Sequence, residues 1–165
     1  MEQLRVTSLR PIQLIFGKTF PYLAISMAAM GIILIVARVL FDVRVRGSLL
    51  DLSEAALLFL IGALGLGLLI SCVARTQAMA WQMGALISML PTIFLSGFIF
   101  PIRNMPWILQ GITYLFPARY FLVIMRGVIL KGASLKPYVN EIYFLAVYAV
   151  LVLAVAYRRL TTELG

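Results

Sequence analysis

Residues Ala55 to Ala74 read AALLFLIGALGLGLLISCVA, a run of 20 positions without a charge. At 1.5 Å per residue, a helix of that length covers about 30 Å, the thickness of the hydrocarbon core of a bilayer. Only a helix satisfies its own backbone in lipid, so this stretch predicts a membrane span. Reading outward, Arg75 closes the run and a second apolar stretch follows at 76–101, with Pro91 predicting a kink and Gly97 and Pro101 a frayed exit. Upstream, Thr19 to Ala37 is uncharged, and Arg38 can snorkel while Val39 to Phe41 finish the helix. Downstream, Ile142 to Tyr157 stops at Arg158 and Arg159. The expected spans are therefore 19–41, 55–74, 76–101 and 142–157, with Asp42 to Glu54 as a short exposed connection.

Composition agrees. Of 165 residues, 63% are hydrophobic and 12% charged, against roughly half and a quarter in soluble domains. Mean hydropathy is +1.05. The fold class is an all-α integral membrane helical bundle. The formal charge of +8 would raise nucleic acid as a partner of a soluble protein. Here the basic residues flank apolar runs, which points to membrane lipids and not to nucleic acid. No histidine is present and Cys72 is the single cysteine, which excludes intramolecular disulfides and Cys/His metal sites. Cys72 is expected as a small buried side chain. No signal peptide is expected, because the first apolar run is too long and lacks a small-residue exit.

The segment from Pro106 to Lys131 is apolar but split by Pro117, and it carries Arg119 and Arg126. Each half makes a helix under roughly 20 Å, too short to span alone. Arg119 and Arg126 share a helical face, and Trp107, Tyr114 and Tyr120 are interfacial residue types. Two readings stand: a broken helix pair re-entering one leaflet, or an amphipathic loop lying on the surface. Before the first span, Pro11 suits a helix start, and Ile12, Ile15 and Phe16 share a face. This predicts a short N-terminal amphipathic helix, or an interfacial ramp into the span.

Small residues recur at four-residue spacing: Ala63, Gly67 and Ser71, then Ala80, Gly84, Ser88, Thr92 and Ser96. In lipid such ridges mark helix packing, or alternatively line a polar pathway. The carboxylates of Asp42, Asp51, Glu54 and Glu141 lie in a loop or at span ends, and Glu2 and Glu163 lie near the termini. A proton-driven antiporter would carry one inside a helix. Gly17, Lys18 and Thr19 imitate the end of a phosphate-binding loop, but Ile12 stands where its first glycine belongs. No catalytic constellation is present either, so an integral membrane enzyme is disfavoured.

The strings Leu95-Ser96-Gly97-Phe98-Ile99-Phe100-Pro101-Ile102, Asn104-Met105-Pro106 and Tyr114-Leu115-Phe116-Pro117-Ala118-Arg119-Tyr120-Phe121 closely resemble the signature region of ABC transporter permeases of the type-2 exporter family. Arg126-Gly127 and Leu130-Lys131-Gly132 extend the match. Gly65 to Ser71 with Thr76-Gln77-Ala78 looks like the helix before that signature, and Glu2-Gln3-Leu4 with Val6-Thr7 looks like the end of a cytoplasmic coupling segment.

The resemblance implies a permease subunit of an ATP-driven exporter, working as a homo- or heterodimer with separate ATPase subunits in a bacterial cytoplasmic membrane. No cofactor binds directly; ATP is used by the partner ATPase. Glu2, Gln3, Leu4, Val6 and Thr7 would belong to the docking region within a coupling segment at 1–18. Ser96, Gly97, Pro101, Pro106, Pro117, Arg119, Tyr120 and Arg126 would belong to the re-entrant segment near the outer exit. Gly67, Ser71, Gly84, Ser88 and Thr92 would serve helix packing or the pathway of a permease domain at 19–165.

Family members usually have about six spans and an Arg/Glu-rich stretch ending in Gly-Thr before the coupling motif. Met1 therefore reads as an internal methionine of a longer permease, and a truncated, non-transporting membrane scaffold is the alternative function. Arg10 replaces the serine usual before Pro11, which weakens the helix cap. The resemblance also puts both termini in the cytoplasm, with Arg5, Arg10, Lys18, Arg75, Arg158 and Arg159. Arg44, Arg46, Arg103, Arg119, Arg126, Lys131 and Lys136 then lie outside or in the re-entrant segment, against the positive-inside rule.

Overall fold

The computed structural model describes residues 11–164, and side chains from Thr19 to Thr161 together with Gly17. The coupling residues Glu2, Gln3, Leu4, Val6 and Thr7 lie outside the described residues. Four helices are long and apolar enough to cross a membrane. The first, α1, runs unbroken over Pro11–Phe41, so the expected amphipathic helix and first span are one continuous element. Pro21 sits inside it, where the lost N–H is tolerable in a long helix. Leu34 of α1 packs against the core cluster, but the end of this helix is lipid-facing surface: Val39, Leu40 and Phe41 are each at least 70% exposed.

The second helix, α2 (Leu49–Val73), begins six residues before the expected Ala55. Ser48 caps it, its Oγ accepting from the Leu50 and Asp51 amides at 3.2 and 3.4 Å. Asp51 then stands in the first turn, where a carboxylate complements the helix dipole. These charges, read from sequence as a loop, are a helix start. The third, α3 (Gln77–Leu95), is capped by Thr76, whose Oγ1 accepts from the Met79 amide at 3.2 Å. It contains a π-helical turn at Ala85–Met89 just before Pro91. The anticipated distortion thus takes the form of a wider turn on the N-terminal side of the proline, and the helix ends at Leu95, short of Pro101.

Two short helices follow, α4 (Trp107–Thr113) and α5 (Pro117–Lys131), bent by 83° at the intervening turn. Pro117 occupies the first turn of α5, and Gly132 ends it in the left-handed region at φ 67°. The last helix, α6 (Val139–Leu164), extends the expected span at both ends.

The core lies on α2. Leu52 and Ala55 pack with Ile124 and Val128 of α5 and Leu145 of α6, and partly buried Phe59 stacks on Phe121 at 4.7 Å. A second cluster, Leu68, Ala156 and Leu160, seals the far ends of α2 and α6, with the half-buried Cys72 against it. The close approach of these helices uses Gly62 and Gly65. A Cβ at Gly62 would meet the Tyr148 ring at 3.0 Å, and one at Gly65 would meet Leu153 at 3.2 Å.

Candidate functional site

The unusual part of the bundle is the α4–α5 hairpin, and its geometry follows from where its ends are tied. At the exit of α3, Gly97 adopts φ 84°, turning the chain back, and its carbonyl accepts from Arg126 Nη2 at 2.9 Å. Farther along, the Arg46 amide donates to the Ile129 carbonyl at 3.2 Å, and the Leu135 amide donates to Asp51 Oδ2 at 3.2 Å. Gly97 ends α3, while Arg46 and Asp51 lie at the start of α2. Both ends of the hairpin are therefore fixed at the same face of the bundle. Its tip, Leu115, Phe116 and Pro117, shares a cavity with Phe59, Ala63 and Tyr148. Ala63 is 14 residues into α2, about 20 Å from that face. The segment is re-entrant, and a loop lying on the surface does not fit this depth.

An arginine near the tip needs partners at such depth. Arg119 has two: its Nη1 donates to Thr113 Oγ1, and its guanidinium lies 3.7 Å from the centre of the Tyr114 ring. Thr113, fully buried, in turn donates to the Gln110 carbonyl at 2.7 Å. Tyr120 donates through its hydroxyl to the Tyr114 carbonyl at 3.0 Å and stacks on Phe144 at 3.9 Å. The bend between α4 and α5 is thus closed by side chains from both, and the open carbonyls at the end of α4 are used. Thr113 and Gln110, whose side chain donates to the Met105 carbonyl at 2.8 Å, were not apparent from sequence. Nothing in the residue pattern marks a threonine as the acceptor for an arginine six positions on.

Ser96 is 3% exposed; its Oγ donates to the Thr92 carbonyl and accepts from the Phe98 amide at 3.3 Å, forming the corner from which Gly97 departs. Pro101 caps a single 3₁₀ turn at Ile102–Asn104, and Pro106 precedes α4. The structure brings Ser96, Gly97 and Arg126 together, and Pro117, Arg119 and Tyr120 together at the deep end. The small-residue stripes divide differently. Nothing lies within 4 Å of a Cβ built at Gly67 or Gly84, so neither makes a close helix contact among the described residues. Gly67, Ala63 and Ser71 instead line a cleft of about 210 Å³ between α1 and α2, together with Thr19 and Tyr22. Ser88 and Thr92 line the 90 Å³ cavity beneath the hairpin tip, beside the π turn. No residue of α3 is buried.

A re-entrant hairpin held between the exit of one span and the start of another, in a chain with this motif order, is matched by a known family. The family described as "ABC-2 type transporter" covers residues 1–130. The chain belongs to the ABC-2 type transporter family. Among similar proteins, "Probable multidrug ABC transporter permease YbhS" of Escherichia coli (strain K12) is 39% identical over 151 residues, 92% of this chain. "Probable multidrug ABC transporter permease YbhR" of the same organism is 33% identical over 89% of the chain. "ABC transporter G family member 20" of Dictyostelium discoideum is 28% identical over 82% of the chain and covers 18% of that protein. The chain spans 40% of the length of either Escherichia coli relative. No solved structure matches. ABC-2 membership and four apolar helices make this an integral membrane protein.

Proposed function

We propose that the chain forms part of the permease of an ATP-driven exporter, assembling with a second permease subunit and with separate ATPase subunits in a bacterial cytoplasmic membrane. The observation that carries this reading is the family match over residues 1–130, a range that includes the whole re-entrant hairpin up to Leu130. Supporting it, α3 leaves hydroxyls of Ser88 and Thr92 facing a cavity instead of a core. Such a helix suits a pathway through which drug-like compounds pass, in keeping with the word "multidrug" in the relatives' names. The hairpin lies at the outer exit, where Arg126 and Gly97 hold it to α3. ATP is hydrolysed by the partner subunit, which docks on Glu2, Gln3, Leu4, Val6 and Thr7.

The test is co-purification with the cognate ATPase, comparing the chain with its Glu2→Lys and Leu4→Asp variants. Weakened capture in each supports the docking role; undiminished capture in both removes it. If ATPase is captured but its turnover never responds to the permease, the chain acts as a scaffold and the transport reading fails.

A further inference from the structure

We propose that the cavity between the α1–α2 connection and the C-terminal end of α5 binds the phosphate headgroup of an anionic phospholipid. The cavity has a volume of about 390 Å³ and is lined by Asp42, Val43, Arg44, Arg46, Ile129 and Leu130. Two arginines therefore line a space whose other wall is aliphatic. That combination fits a phosphate ester attached to acyl chains better than a free ion, which would have no use for Ile129, Leu130 and Val43.

The position is right for a lipid. The connection joins two membrane-spanning helices, so it lies where headgroups lie. Leu130, which lines the cavity, is 59% exposed, offering an apolar bed next to the cations. The cations are also presented by a fixed backbone. The Val43 amide donates to the Ala37 carbonyl and the Arg46 amide to the Ile129 carbonyl, each at 3.2 Å. Gly47 sits so close that a Cβ there would lie 2.7 Å from the Val128 carbonyl oxygen. The backbone is thus ordered before the ligand arrives, and the side chains of the two arginines are what binding has to fix.

The guanidinium groups have capacity to spare. Arg44 uses only Nε, donating to Asp42 Oδ1 at 3.4 Å across two exposed side chains. Arg46 has no side-chain partner among the described residues. Lys131, adjoining Leu130, adds a further positive charge at this end of α5. Asp42 opposes an anion, and it holds φ 48° in the left-handed region, a conformation that asparagine adopts readily. Charge can therefore be removed from either side without disturbing the turn. An anionic lipid here also gives the basic residues on this face the counterions that the positive-inside pattern leaves unexplained.

The experiment titrates the purified chain in detergent with dioleoyl phosphatidylglycerol and reads bound lipid by native mass spectrometry. Arg44→Gln and Arg46→Gln should each weaken binding about fivefold. Asp42→Asn should strengthen it, and Arg103→Gln, a basic position on the same face outside the cavity, should leave it unchanged. The opposite signs at positions 42 and 46 separate a site from a misfolded variant. Equal loss in Arg103→Gln would reduce the effect to general surface charge and overturn the proposal. So would equal binding of dioleoyl phosphatidylcholine, or displacement of the lipid by excess inorganic phosphate, which would mark a site for the free anion.

Discussion

Arg126 and Gly97 stand 29 residues apart in the chain, yet Nη2 of the arginine donates to the glycine carbonyl at 2.9 Å. The acceptor is available because α3 has already ended at Leu95 and Gly97 turns the chain with a positive φ. The donor is available because α5 is helical through this position, which sets the arginine toward the exit of α3. This bond joins the entry of the hairpin to its exit, and the backbone bond from Arg46 to Ile129 ties that exit to the start of α2.

Arg126→Ala should therefore cost about 1.5 kcal/mol, the low end for a charged hydrogen bond because the arginine is exposed. Arg126→Lys restores the charge without the planar fork and should recover only part of the loss. Equilibrium unfolding of the chain in mixed micelles measures both. An alanine variant as stable as the parent would show that the contact contributes nothing to holding the hairpin.

The two glycines of α2 that look alike in sequence, Gly65 and Gly67, should respond oppositely to alanine. At Gly65 the new methyl meets Leu153 at 3.2 Å, whereas at Gly67 nothing lies within 4 Å. Gly65→Ala should destabilise the α2–α6 contact by about 1–3 kcal/mol. Gly67→Ala should be neutral or stabilising by up to about 1 kcal/mol, through helix propensity. Thermal unfolding of the two variants side by side decides it; equal losses would mean that the small-residue stripe through Gly67 is itself a packing face.

This pair also shows what the sequence could and could not reveal. Long uncharged runs made the four spans legible, because a bilayer imposes a length and forbids unpaired charge. The break at Pro117 was legible for the same reason, since neither half was long enough to cross. Which small residues make contact was not, because Gly62, Gly65 and Gly67 differ only in the direction each faces, and that direction depends on where α6 packs. The start of α2 was misread because Asp51 and Glu54 look like loop residues until Ser48 is seen capping a helix. The π turn before Pro91 has no composition of its own. Arg119 could be flagged as a cation in an apolar segment, but its acceptor, Thr113, becomes apparent only once the 83° bend brings the two together.

Asp51 ties the start of α2 to the loop after α5, accepting from the Leu135 amide across 84 residues of chain at 3.2 Å. Asp51→Ala removes this bond and a first-turn charge, and should cost about 1–2 kcal/mol. Asp51→Asn keeps an acceptor oxygen and should lose about half as much. Hydrogen exchange at the Leu135 amide reports the contact directly. Exchange there should quicken in the alanine variant, and an unchanged rate would show that another group protects this amide.

The re-entrant hairpin makes a sharp prediction about sidedness. Arg103 lies before α4 and Lys136 after α5, and both are exposed. If the pair enters and leaves by one face, the two positions share a side of the membrane. Arg75, between α2 and α3, and Arg159, near the end of α6, then share the opposite side; all are exposed. If the pair crossed instead, making a fifth span, Lys136 would move to the side of Arg75, and Arg159 to the side of Arg103. Single cysteines placed at these four positions in a Cys72→Ser background distinguish the two arrangements in intact cells with a membrane-impermeant maleimide. Labelling should pair Arg103→Cys with Lys136→Cys and exclude Arg75→Cys and Arg159→Cys, as the exporter orientation requires. Labelling of Arg75→Cys and Arg159→Cys alone would keep the hairpin and reverse the orientation, which is the arrangement the basic residues favour by count. Labelling that joined Arg103→Cys with Arg159→Cys would mean the helix pair spans the membrane, in conflict with the bonds from Arg126 to Gly97 and from Arg46 to Ile129 that tie both its ends to one face.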